Sequence, residues 1–230
     1  MQGSDISLTR TSDILLDVKD EVGQLRQYQE STRGQEIIDW LAPVNFTGQQ
    51  SNTFHRRQKG TGAWFLATEE FTKWSDIRNS ILFCPGIPGA GKTFLTSIVV
   101  DHLEHTFGPD PKVGIAYLYC NFRQQHEQKI EHLLESILKQ FIQRQPCVND
   151  DIKAIYNRHR PMGGRPSLDE LCTALNSVLK TLARSFIVVD ALDECSVTAD
   201  LLSSIFGLQS KYSVSFLATS RYIPEITTLF

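Results

Sequence analysis

Residues 86–93 read Gly-Ile-Pro-Gly-Ala-Gly-Lys-Thr, lying between the apolar run Ile81-Leu82-Phe83-Cys84 and a helical pattern. A strand that ends in such a turn and leads straight into a helix is the phosphate-loop arrangement, so the spelling constrains the fold and the ligand together. Gly86, Gly89 and Gly91 permit left-handed or tightly curved backbone, which turns successive N–H groups inward as a nest for anionic oxygens. Ile87, Pro88 and Ala90 complete the loop. Lys92 is expected to reach the β- and γ-phosphates of a nucleoside triphosphate, and the Thr93 hydroxyl to coordinate the Mg²⁺ that bridges them. The helix beginning here aims its positive end at the same anion.

A second signal lies about a hundred residues downstream. Phe186-Ile187-Val188-Val189 is a run of bulky apolar residues ending in Asp190, as expected of a parallel strand buried on both faces with a carboxylate at its C-terminal tip. Asp190 is the expected Mg²⁺ partner of Thr93. Asp193 and Glu194 follow, and could orient or deprotonate an attacking water. A third strand, Val214 to Thr219, ends in Ser220-Arg221. Beside the first strand, Arg221 could sense a γ-phosphate and stabilise charge in transfer, or simply snorkel at a strand end.

Taken together, GIPGAGKT, VVDALDEC and FLATSR resemble the NACHT nucleotide-binding domain of STAND-class P-loop NTPases, above all those of filamentous fungi. The resemblance includes the small residue Ala191 after the magnesium aspartate and the acidic pair Asp193-Glu194. It extends upstream through Trp40-Leu41-Ala42-Pro43 and the stretch Arg56 to Leu66, which is similar to nephrocystin-3-like N-terminal regions. It implies ATP, with GTP as the alternative, Mg²⁺, Asp193 as the main water-orienting group, and a slow hydrolase whose bound nucleotide acts as a conformational switch. It also implies protein partners or self-association through the NTPase domain, and service in fungal self-recognition or defence. In the wider class the segment before the phosphate loop helps enclose the base, which makes Gly60 to Trp64 the matching positions here. The family pattern continues beyond Phe230, so the core is expected to be incomplete after the Arg221 strand, with Ile81–Cys84 left as an unpaired edge.

The fold class expected is α/β, a doubly wound parallel sheet with an N-terminal helical extension. The division is 1–35 as that extension, 36–78 as lead-in helices and linker, and 79–230 as the NTPase core. In the extension, Leu15, Val18, Val22 and Leu25 form a helical stripe. A short helix Glu36 to Leu41 is stopped by Pro43, and the polar stretch Asn45 to Gly62 reads as a linker whose Arg56-Arg57-Gln58-Lys59 cluster is a solvated turn. Beyond the phosphate loop, Leu95, Ile98, Val99 and Leu103 mark one helix, Val113 to Cys120 a strand, and Ile130 to Phe141 another helix. After the breaker-rich Pro161 to Pro166, Ser167 and Glu170 spell a capping box that opens a helix.

Composition excludes several classes. A formal charge of −3 offers no field for nucleic acid, and no apolar run approaches the ~18 residues of a membrane span. Without a basic start and apolar heart at its N-terminus, the chain is expected in the cytoplasm. Cys84, Cys120, Cys147, Cys172 and Cys195 are scattered and read as reduced core thiols. His102 and His105 lie one turn apart but lack a completing ligand set, so they read as a solvated face rather than a metal pair. Two other functions fit the same phosphate loop: a metabolic P-loop phosphotransferase, which would need an acceptor pocket and a lid, and a non-hydrolysing interaction scaffold.

Overall fold

The computed structural model describes residues 29–42, 44–123 and 128–230. The stripe Leu15 to Leu25 lies outside them. A helix covers 29–41 (α1), followed by α2 (Thr47–His55), α3 (Ala63–Leu66) and α4 (Glu69–Asp76). The core then runs β1 (Ile81–Pro85), α5 (Lys92–Phe107), β2 (Val113–Tyr119), α6 (Ile130–Ile142), α7 (Asp150–His159), α8 (Leu168–Leu179), β3 (Arg184–Asp190), α9 (Thr198–Gln209), β4 (Val214–Ser220) and α10 (Pro224–Thr227). The four strands form one sheet in the order β1-β4-β3-β2, every pair parallel.

Alternation along the strands explains why helices cover both faces. Phe186 of β3 packs against Trp74 of α4 and Phe107 of α5. Phe216 of β4, in register with Ile187, turns the other way and meets Phe206 of α9. β3, flanked by β2 and β4, is buried from Ser185 to Asp190, which is why its sequence is continuously apolar rather than alternating. Among the described residues β1 pairs with β4 alone, and its Ile81 end is exposed. The Phe230 ring stacks on Phe83, centroids 4.3 Å apart.

The capping box forms as spelled. Ser167 accepts the Glu170 amide while the Glu170 carboxylate accepts the Ser167 amide. That amide and His159 hold the Glu170 carboxyl down at about 2.

The lead-in differs from the expected linker. Thr47–His55 is helical although its sequence carries no apolar stripe; its one buried residue, Gln50, donates to Ser97 O of α5 (2.9 Å) and accepts the Tyr119 hydroxyl of β2. The helix is held by tertiary hydrogen bonds, which a hydrophobic pattern does not reveal. α1 is likewise longer than the expected Glu36–Leu41. Its last carbonyls, Trp40 O and Leu41 O, accept from the Arg165 guanidinium, which also pairs with the buried Glu135 carboxylate at 2.6 Å. The breaker-rich loop thus fastens α1 to α6. A further helix, α7, stands where no element was expected: Asn149 caps the Ile152 amide, but only Ile152 and Ile155 are buried.

β2 and α6 approach closely at Gly114, where a Cβ would lie 2.7 Å from Leu182 and 2.8 Å from the buried Phe141 ring. Gly114→Ala is therefore expected to destabilise the protein by about 1–3 kcal/mol through overpacking. Gly207, exposed on α9 with no neighbour within 4 Å of an added Cβ, gives the opposite sign: Gly207→Ala should stabilise by about 0.5–1 kcal/mol. Denaturant melts of the two variants, compared at constant m-value, check both.

Candidate functional site

The phosphate-loop segment leaves β1 with the Gly86 N–H donating to Ser220 O at 3.0 Å, an extension of the β1–β4 pairing. Two glycines then take left-handed backbone, Gly89 at φ 78° and Gly91 at φ 85°, where any other L-residue costs about 1–2 kcal/mol. Gly86 does not. A Cβ there would make only ordinary contacts with Ala90 and Lys92, so of the three glycines expected to allow left-handed or tightly curved backbone, two are left-handed. α5 starts at Lys92 with no side-chain cap and no acidic residue in its first turn, which leaves its first amides available to an anion. The Lys92 ammonium folds back, donating to Gly86 O (2.8 Å) and Ile87 O (3.0 Å).

A cleft of about 350 Å³ opens over this loop. Pro88, Gly89, Gly91, Lys92 and Thr93 line one side, and Asp190, Asp193, Glu194 and Arg221 the other. The sheet order accounts for the meeting: β4 lies between β1 and β3, so three strand tips in a row end at one edge. Gly86, Ile87 and Ala90 shape the loop without lining the cleft.

Asp190, the last residue of β3, is 2% exposed. Its Oδ1 accepts the Thr96 hydroxyl of α5 at 2.9 Å and the Thr219 hydroxyl of β4 at 2.7 Å. Neither threonine was singled out in the sequence. Thr96 follows Thr93 by three residues, one turn along the same helix face, and that spacing is the signal that could have found it. Among the described residues no donor binds Oδ2, and this carboxylate and the Thr93 hydroxyl, which line the same cleft, are hard oxygen donors of the kind Mg²⁺ takes.

After Asp190 the chain turns sharply. Ala191 is left-handed (φ 53°), its N–H donating to the Thr219 hydroxyl at 3.0 Å, and its carbonyl accepts the Glu194 amide at 2.8 Å to close a 3₁₀ turn over Leu192–Glu194. A small residue is needed here because a β-branched one at this φ would be strained.

That turn separates the two acidic side chains. Asp193, whose side chain is 2% exposed, gives Oδ1 to the Arg221 amide (2.8 Å) and Oδ2 to the Arg221 guanidinium (2.5 Å). Burial raises the Asp193 carboxyl, but the contacts with Arg221 outweigh it and hold it below its ordinary value; the same contacts raise Arg221. Among the described residues the Glu194 carboxylate accepts only a long contact from the Phe122 amide, 3.3 Å. Arg221 therefore stands at the expected strand tip, with its guanidinium engaged by Asp193.

Other sequence-marked residues lie apart from the cleft. Gly62 packs against Ile98 of α5, where a Cβ would fall 2.6 Å from Cδ1, and Gly60 to Trp64 does not line the cleft over the loop; Trp64 is 69% exposed. Arg57 covers the Phe54 ring at 3.3 Å, while Arg56 and Lys59 are solvated. His105 bonds Asp101 O (2.8 Å), whereas His102 is half-buried against Phe71 and its pKa is lowered by burial, a departure from the solvated face expected. Among the described residues no cluster of three or more metal-binding side chains occurs, and no helix is long and apolar enough to cross a membrane. All five thiols are free, but only Cys120 and Cys195 are buried; Cys147 is exposed, so the reading of every cysteine as a core residue is corrected.

Residues 60–221 match the family described as Nephrocystin 3, N-terminal. The vegetative incompatibility protein HET-E-1 of Podospora anserina is 24% identical over 175 residues, 73% of this chain and 13% of its own length. The chain thus spans a small fraction of that curated relative. A solved structure of C. elegans PCH-2 overlaps 85% of this chain and 40% of its own at 13% identity, with a TM-score of 0.32. Overlap that low carries no argument. The family match runs from the lead-in through the phosphate loop and the Asp190 turn to Arg221, and on that span the chain belongs to the nephrocystin-3 N-terminal family, as a region of the fungal NACHT type.

Proposed function

We propose that this chain is a Mg²⁺-dependent nucleoside-triphosphate switch, binding ATP in preference to GTP, with slow hydrolysis and a signalling role. The observation that carries the reading is the convergence of Gly89, Gly91, Lys92 and Thr93 with Asp190, Asp193, Glu194 and Arg221 around one cleft. Residues 79–230 are then the nucleotide-binding core and 36–78 its lead-in. The preference for ATP and self-association through this domain follow from the family resemblance, and a cytoplasmic location accords with the five free thiols.

The roles follow from the geometry. Loop amides and the α5 N-terminus cradle the phosphates, and Lys92 exchanges two loop carbonyls for phosphate oxygens. Thr93 and Asp190 would hold Mg²⁺, which supplies charge neutralisation between the β- and γ-phosphates. Thr96 and Thr219 orient Asp190 from behind. Since Asp193 has both oxygens committed to Arg221, Glu194 is the better water-orienting group, and Asp193 acts as a positioning residue. A γ-phosphate competes with Asp193 for Arg221. That partner exchange gives the site two arrangements, one with and one without the terminal phosphate.

Calorimetry with Mg-ATP and Mg-GTP tests the binding reading. Lys92→Ala should weaken binding about 100-fold, in line with the loss of a charged hydrogen-bonding partner, and Lys59→Ala by less than about twofold, since Lys59 is solvated and does not line the cleft. Equal losses would place the upstream basic cluster in the site and refute the assignment.

Turnover tests the acidic pair. Glu194→Gln should reduce phosphate release about 100-fold or more with binding within about twofold, whereas Asp193→Asn, which frees Arg221, should tighten Mg-ATP and cost less turnover. Larger loss at Asp193 would return the water-orienting role to it. Turnover seen only with an added acceptor would make the chain a phosphotransferase, and tight binding with no turnover a scaffold.

A further inference from the structure

Phe94 is the first residue after the phosphate-loop signature, and its ring lines the cleft while remaining 36% exposed. Among the described residues no other aromatic ring packs against it. The other residues that line the cleft are charged, hydroxylic, small or proline, so this ring is its one aromatic surface among the described residues. The apolar residues farther along α5, Ile98 to Val100, are buried; Phe94 forgoes the burial that they obtain.

The turn that faces the anion also fixes where the ring stands. The first bond within α5 runs from the Leu95 N–H to Gly91 O at 2.9 Å, so the amides of Lys92, Thr93 and Phe94 have no partner inside the helix. The Phe94 amide is the last of these donors, and the ring leaves from the same residue. Thr96, two positions on, turns its hydroxyl to Asp190. Phe94 therefore leaves α5 on a different face, shared one turn later by Ile98, which meets Gly62 of the lead-in. Glu194 and Arg221 stand on the opposite wall of the cleft.

We propose that Phe94 is the base-stacking residue of the site, the plate by which it selects purine over pyrimidine nucleoside triphosphates. The inference rests on the nucleotide reading above. A phosphate chain held by the loop amides, with its terminal group toward Arg221, directs the nucleoside away from the acidic turn and toward the first turn of α5. A base arriving there meets the Phe94 ring. Face-to-face contact reads area rather than the hydrogen-bonding edge, so a fused two-ring purine gains more from the plate than a pyrimidine does, and adenine and guanine gain about equally. Phe94 thus sets the purine class and leaves the choice between ATP and GTP to other contacts.

Calorimetry on the full chain with Mg-ATP, Mg-GTP, Mg-CTP and Mg-tripolyphosphate, which carries phosphates and no base, separates the ring from the loop. Phe94→Ala should weaken ATP and GTP alike by about 10-fold, CTP by less, and tripolyphosphate by less than about twofold, whereas Phe94→Tyr should hold purine affinity within about threefold. A second readout does not depend on the alanine variant: Phe94→Trp should show indole quenching on Mg-ATP beyond that of the unmodified chain, and none on tripolyphosphate. Unchanged ATP affinity in Phe94→Ala, or equal losses of ATP and tripolyphosphate, overturns the role of the ring and leaves the phosphate site standing. An equal loss for CTP overturns the purine selection. Binding of neither ATP nor tripolyphosphate to the unmodified chain overturns the nucleotide reading, and this proposal with it.

Discussion

One carboxylate oxygen joins three elements. Asp190 Oδ1 accepts a hydroxyl from α5 and another from β4 while its own backbone belongs to β3. A buried carboxylate without donors would be costly. With two, it fixes the helix that carries Lys92 and Thr93 relative to the strands that carry Asp193, Glu194 and Arg221. The Thr219 hydroxyl is shared further, since it also accepts the Ala191 amide and so sets where the acidic turn begins. Displacing this junction would move both walls of the cleft at once.

The site can be read as two layers on that junction. Next to it, backbone geometry is prescribed by left-handed Gly89, Gly91 and Ala191. Outward from it, side chains hold interchangeable partners: Lys92 rests on loop carbonyls and Arg221 on Asp193. Both cations are thus kept ordered by acceptors that an incoming anion can replace, and less side-chain entropy is lost on binding than if they were free in solvent.

Much of this was legible in the sequence because single residues carry it. Glycines at fixed offsets, a lysine and hydroxyl closing the loop, and an apolar strand tipped with aspartate each specify a local conformation, and the parallel sheet follows from their order. The capping box at Ser167 was equally plain. What escaped depends on partners distant in sequence. α2 is held by Gln50, a residue with no helical signature, and α1 is tied down by Arg165, more than a hundred residues away. The partners of Asp193 and Glu194 could not be separated by spacing, because a 3₁₀ turn decides which of two adjacent carboxylates meets Arg221.

The strand order bears on how the protein is made. β1, which carries the phosphate loop, is hydrogen-bonded through β4, and the Gly86 amide waits for Ser220 O. The neighbouring β3–β2 ladder involves strands synthesised between them. On a ribosome the loop emerges early, yet among the described residues its strand has no pairing partner until the chain has been read through residue 220. Long-range pairing of this kind is slow and exposes unpaired edge in the interval. The part of the cleft made first is therefore seated late, and its two walls can meet only after nearly all of this region has been translated.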